Sequence, residues 1–130
     1  MFPAVCCATN PMPMNVHHEG GNVYRLEVHG TLRKLELEQC QNVLIEDIDR
    51  AGPVRLLFLL EKFEGWEPGD DWHDLTFYVK YGGAIERIAI VGDDRWRSQS
   101  LMFAGADLRQ APVEFFSPEK AAEARAWLST

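Results

Sequence analysis

Two short segments of the sequence combine histidine with carboxylates, the residue types that bind metals or transfer protons. They are His17-His18-Glu19 and Asp70-Asp71-Trp72-His73-Asp74. If the first segment is a strand, its two histidines point to opposite faces of the sheet. In the second, His73 lies next to Asp74, whereas side chains share a helix face at spacings of three or four residues. We therefore predict no metal site.

The motifs of the common enzyme classes are missing from the sequence. It has no glycine-rich phosphate loop, no nucleophile elbow and no CxxC pair. Ser98, Ser100 and Ser117 fall in predicted helices or caps, which leaves no Ser-His-acid triad to propose. We predict a protein without catalytic residues or cofactor. The enzyme alternative is acid–base chemistry by Asp70, His73 or Asp93, whose shared acidic setting would perturb their pKa values.

The segment 61–74 is strongly acidic and follows a predicted central strand. Ligands of open α/β sheets bind outside the carboxyl ends of the strands, so this segment lies where a ligand is expected. A phosphate group would be repelled there. A solvated acidic loop without a ligand and a docking surface for a basic partner both remain open. The acids are Glu61, Glu64, Glu67, Asp70, Asp71 and Asp74, with Asp93 and Asp94 at the same end.

Aromatic residues are interleaved with these acids. They form either a small core that covers the end of the sheet or the wall of an apolar pocket, which Phe77 and Tyr78 would also line. We expect the occupant to be a protein partner or a small apolar ligand, and the alternative is a lipid carrier with an enclosed pocket. The predicted surface consists of Phe63, Trp66, Asp70, Trp72, Asp93 and Trp96.

Composition narrows the class of protein. The chain has 130 residues, 46% of them hydrophobic, and a net charge of −7, which is typical of one globular domain. The negative charge argues against nucleic acid and anionic membranes as partners, and no apolar run is long enough for a membrane span. The three cysteines are a poor disulfide framework, and no charged signal segment precedes Arg25. We expect a cytoplasmic protein.

Hydrophobic periodicity predicts strands that alternate with helices. In the hairpin, Tyr24, Leu26 and Val28 should form the buried face, and Cys40 should be a small core residue of the first helix. Ser117 followed by Pro118 predicts the start of the last helix. The predicted elements are a hairpin over 14–30, helices over 33–51, 70–82 and 94–104, strands over 54–60, 86–91 and 112–116, a loop over 61–69, and a final helix after Ser117.

This order predicts an α/β fold with a mixed, mainly parallel sheet of five strands, an antiparallel N-terminal edge hairpin and four helices. The domain spans residues 14–130, and residues 1–13 form an uncharged, proline-rich extension. The exposed edge of the first strand and the apolar extension favour a twofold homodimer.

Four stretches resemble the SpoIIAA-like proteins of the STAS superfamily. They are Gly30-Thr31-Leu32, Leu57 to Trp66, Glu86 to Asp93 with Trp96, and Phe116 with Ala124 to Leu128. The resemblance implies an α/β sandwich with helices mainly on one face of the sheet. It also implies a likeness to anti-sigma-factor antagonists and, at the level of the fold, to lipid-binding CRAL-TRIO domains.

Two departures from that pattern matter. Anti-sigma-factor antagonists carry a phosphorylatable serine after the central strand, but no Ser or Thr occurs between Pro53 and Gly69. The resemblance therefore carries over no phosphorylation switch. Many relatives also have a threonine that caps the first helix, where this chain has Arg33. We expect that cap to be lost or supplied by Thr31.

Overall fold

The computed structural model describes residues 14–70, 76–104 and 112–130. Its sheet has five strands in the order β1-β2-β3-β4-β5. β1 pairs antiparallel with β2, and the other three pairs are parallel, which confirms the predicted class. The strands are β1 (Met14–Gly20), β2 (Val23–Leu32), β3 (Val54–Trp66), β4 (Ile85–Val91) and β5 (Val113–Phe116).

The α-helices follow the strands as the sequence predicts. They are α1 (Lys34–Ala51), α2 (Thr76–Tyr81), α3 (Arg97–Phe103) and α4 (Ala121–Leu128). Short 3-10 turns precede β4, α3 and α4, at Gly82–Ala84, Asp94–Trp96 and Pro118–Lys120. The part of the predicted 70–82 helix between residues 71 and 75, which includes Trp72 and His73, lies outside the described residues. None of the described helices combines the length and the apolar composition needed to cross a bilayer.

The hairpin forms as predicted, with β1 at the edge of the sheet. Tyr24, Leu26 and Val28 are all buried, which confirms the predicted inner face of β2. The turn uses Gly20 and Gly21, whose φ angles of 124° and 56° are in the region that glycine adopts most readily. Because apolar residues alternate with polar ones along β2, burial of the apolar face fixes the register in which β1 pairs with β2.

α1 packs on the sheet through a stripe of residues three and four positions apart. Leu37, Cys40 and Leu44 are buried, and burial raises the pKa of the Cys40 thiol to about 11. The thiol is thus a small core group, as predicted. Gly52 ends the helix with φ 100° and donates its backbone N–H to Ile48.

Two apolar clusters lie on the sheet. The larger includes side chains from α1, α2 and α3, and the smaller joins α4 to β3 and β4 through Leu57, Ala89, Ala124 and Leu128. Helices therefore lie mainly on one face of the sheet, as the resemblance implies.

The predicted loop over 61–69 is wrong in its first part, because β3 continues to Trp66. The end of β2 pairs with this extension, with Gly30 opposite Phe63 and Leu32 opposite Trp66, after register shifts in the pair. Lys62 has a φ of 51°, an uncommon conformation for a residue with a side chain. The irregular backbone keeps Phe63 on the buried side of the strand.

The start of the last helix also differs from the prediction. Ser117 precedes a 3-10 turn rather than α4 itself, and its side chain makes no capping hydrogen bond to the backbone. Its hydroxyl instead donates to the Glu119 carboxylate at 3.1 Å. Pro118 occupies the first position of the turn, where its fixed φ is suited to helical backbone.

Candidate functional site

Three of the predicted aromatic residues meet at the carboxyl end of the strands. The Phe63 ring lies edge-on to Trp66 and Trp96, with centroid distances of 4.9 and 5.0 Å. Phe103 of α3 joins them, 5.4 Å from Trp66. Sequence reasoning missed Phe103, although it lies two helical turns after Trp96 and this spacing was a usable signal. We call these four residues the aromatic cluster. Trp72, which was predicted to join them, lies outside the described residues.

Gly65 lets Trp96 approach the strand. A Cβ atom at this position would lie 3.3 Å from Cη2 of Trp96. Its φ of 108° is also a conformation that residues with side chains rarely adopt. The glycine therefore serves both the backbone path of β3 and the packing of the cluster.

A partly enclosed cavity lies beside the aromatic cluster, between the sheet and α3. Phe58, Phe63, Trp66 and Phe103 line it, together with Ser100 and aliphatic side chains of β2, β3 and β4. Its volume is about 20 Å³, and a water molecule needs roughly 10–15 Å³ by the same kind of measure. The aromatic end of the sheet is thus a packed core that retains a small apolar cavity.

Two of the residues that line this cavity each carry an unsatisfied polar atom. Trp66 Nε1 and Ser100 Oγ are buried and have no hydrogen-bond partner among the described residues. Ser100 is only 3% exposed. An unsatisfied buried donor or acceptor costs about 1–3 kcal/mol, so native proteins rarely leave one without a function or a bound molecule.

Asp70 holds the start of α1. Its Oδ2 accepts the Lys34 backbone N–H at 2.9 Å and Nε of Arg33 at 3.2 Å. The bond from the Lys34 backbone, followed by that from Arg33, lowers the pKa of Asp70. The cap at Arg33 itself is lost, as one of the two expectations had it, because this residue makes no side-chain capping hydrogen bond. The carboxylate of Asp70, 36 residues along the chain from Lys34, takes its place.

The other predicted acid, Asp93, binds the backbone of its own segment. Its Oδ1 accepts the Arg95 backbone N–H at 3.0 Å and caps the 3-10 turn before α3. Asp94 pairs with Arg97 at 2.9 Å, and the Arg95 guanidinium lies 5.1 Å from the Trp96 ring centroid. The acids of this turn thus organise the start of α3.

The two histidines of the first histidine–carboxylate segment contact side chains of β2. His17 lies 3.5 Å from Glu27, and the His18 ring stacks on Tyr24 at 4.7 Å. In the described parts of the chain, no group of three or more His, Cys, Asp or Glu side chains is placed to hold a metal ion. His73 lies outside these parts.

The sheet and its helices define an α/β protein whose parallel strands end in an aromatic cluster with a small apolar cavity. The SpoIIAA-like family model matches residues 23–129, and the chain belongs to that family. A search of curated proteins finds no match.

One solved structure supports the fold independently. It is the crystal structure of an uncharacterized protein from the DUF3478 family with a SpoIIAA-like fold from Shewanella loihica PV-4. The two are 19% identical with a TM-score of 0.67, and the match covers 88% of this chain and 91% of the other. At this identity the likeness shows the fold alone.

Proposed function

We propose that this protein is a non-enzymatic module that binds a small apolar ligand in the cavity between the sheet and α3. One observation carries the proposal: two of the residues that line an otherwise apolar cavity, Trp66 and Ser100, each carry a buried polar atom without a described partner, Nε1 and Oγ. Small-molecule sites have this composition, with apolar walls and a few placed polar groups.

The size of the cavity sets a condition on binding. At about 20 Å³ it is far below the roughly 300 Å³ or more of typical small-molecule sites. Phe103 is the last residue of α3, a helix of seven residues, so a shift of this helix enlarges the cavity without breaking the sheet. A ligand that binds only the enlarged form shifts the population toward it.

Native mass spectrometry of gently purified protein tests the proposal, with two matched variants. Val28 lines the cavity and is 1% exposed, so the extra methylene of Val28→Ile occupies ligand space. Val54 is 2% exposed and lies at the amino end of β3, away from the cavity. We expect a bound small molecule on the wild type and on Val54→Ile, and occupancy at least about tenfold lower on Val28→Ile. No bound mass on the wild type, or equal occupancy on both variants, would contradict the proposal.

The same measurement addresses the protein-partner alternative. Glu61 and Glu64 are exposed at the carboxyl edge, close in sequence to the half-buried Trp66, and this combination suits a basic partner. A copurified polypeptide in place of a small molecule would favour that alternative. Its loss in the double variant Glu61→Gln/Glu64→Gln would locate it at this edge.

We also propose that two copies pair along β1, which is the edge strand of the sheet. Edge strands offer main-chain groups to another chain, and twofold dimers are the commonest assembly. Light scattering at micromolar concentration should report twice the monomer mass, and a monomer would refute the dimer. A cytoplasmic location stays a prediction.

A further inference from the structure

The two unsatisfied atoms restrict the chemistry of any ligand in the cavity. An indole Nε1 only donates a hydrogen bond, whereas a serine hydroxyl both donates and accepts. The Trp66 indole can therefore be satisfied only by an acceptor. A pure hydrocarbon would leave it unsatisfied, as it is without a ligand, and would therefore gain nothing from it.

The charges around the cavity restrict the ligand further. None of the described residues that line it is charged. The arginines of the neighbouring segments are already engaged, since Arg33 pairs with Asp70, Arg97 pairs with Asp94, and Arg95 lies against Trp96. A carboxylate buried in the cavity would therefore contact no cation among the described lining residues, and burying it unpaired is a large cost.

We infer that the ligand is a neutral apolar molecule with one hydrogen-bond-accepting oxygen, of the ketone, ester or alcohol class. Its oxygen accepts from Trp66 Nε1 and bonds to Ser100 Oγ, while its apolar part lies among the aromatic rings. This inference rests on the proposed function, and it adds that free fatty acids and other carboxylates are not ligands.

Three probes of similar size separate these requirements: acetophenone carries a neutral oxygen, ethylbenzene carries none, and benzoate carries a charge. Each is titrated into isotopically labelled protein, and the indole N–H resonance of Trp66, assigned with Trp66→Phe, reports binding. The wild type is compared with Phe103→Ala, which enlarges the cavity so that probe size does not decide the result. If that variant fails to fold, the wild type alone carries the comparison.

We expect acetophenone to bind about tenfold more tightly than ethylbenzene, to shift the Trp66 resonance, and to bind more tightly than benzoate. Ser100→Ala should retain ethylbenzene binding and reduce the preference for acetophenone. Trp66→Phe should do the same, with binding followed through its backbone amide resonances because this variant lacks the indole reporter. Equal affinities for the two neutral probes, or tightest binding of benzoate, would overturn the inference and leave the proposed function standing.

Failure of the proposed function gives a different result. If none of the probes binds either the wild type or Phe103→Ala, the cavity is no ligand site and both proposals fall. A cross-peak between the Trp66 indole proton and a long-lived water would then identify the occupant as structural water.

Discussion

The hydrogen bonds at the amino end of the parallel strands contrast with the unsatisfied polar atoms beside the cavity at their carboxyl end. At the amino end, Asn22 donates to the Pro53 carbonyl at 3.3 Å and to the Glu86 carboxylate at 3.1 Å. Arg55 donates to the same carboxylate at 3.0 Å. These bonds tie the hairpin turn to β3 and β4. At the carboxyl end, Trp66 Nε1 and Ser100 Oγ have no such partners among the described residues.

The amino end also holds the last turn of α4. Arg87 donates to the Trp127 carbonyl at 2.9 Å and to the Thr130 hydroxyl at 2.6 Å, and Arg55 donates to the Leu128 carbonyl. Cations that bind the last carbonyls of a helix stabilise it. The amino end is thus held by hydrogen bonds between its elements, whereas the cavity at the carboxyl end retains unsatisfied groups that a ligand could use.

The largest expected effect comes from removing the centre of the aromatic cluster. Phe63 is 3% exposed and contacts both Trp66 and Trp96. Phe63→Ala should lower the free energy of unfolding by about 3–5 kcal/mol, because it removes a buried ring and leaves a cavity. Urea denaturation measures this loss. A loss below about 1 kcal/mol would mean that the cluster is not part of the core.

A smaller loss is expected at Gly65, where both backbone and space are restrictive. Gly65→Ala places a Cβ atom 3.3 Å from Trp96 in backbone with φ 108°, so it should destabilise the fold by about 1–3 kcal/mol. The matched control is Gly83→Ala, where a Cβ atom meets nothing within 4 Å. Equal losses for the two variants in urea denaturation would refute this account of Gly65.

Local patterns predicted most of the fold and part of the site. The alternation around Leu26 and the periodicity around Cys40 identify β2 and α1, because each element buries one face. The extension of β3 was missed because it depends on irregular pairing with β2 and on a positive φ at Lys62. The Asp70 cap and the Ser100 hydroxyl were missed because their significance depends on contacts between segments far apart in the sequence.

We expect removal of a polar group to lower the free energy of unfolding at the amino end, and to leave it unchanged or raise it slightly at the cavity. Arg87→Met removes two hydrogen bonds and the contact of the guanidinium with the Trp127 ring, so it should cost about 1–2 kcal/mol. Ser100→Ala removes a buried hydroxyl that has no described partner, so stability should be unchanged or slightly higher. Both are measured by urea denaturation without ligand. A clear loss in Ser100→Ala would show that its hydroxyl is satisfied in solution and would remove the contrast.

A pH-dependent loss of stability is expected when the Asp70 carboxylate is removed. Its hydrogen bonds from the Lys34 backbone and Arg33 lower its pKa below the ordinary value of 3.8. A carboxylate whose pKa is lower in the folded state stabilises the fold above its unfolded pKa, and this contribution is lost as the pH falls through the folded pKa. Asp70→Asn should therefore be less stable than the wild type at pH 7, and the difference should shrink as the pH falls below about 4. Thermal melts of both proteins between pH 7 and pH 3 measure it. A difference that stays constant over this range would mean that Asp70 holds α1 by hydrogen-bond geometry alone, because its charge would then contribute nothing.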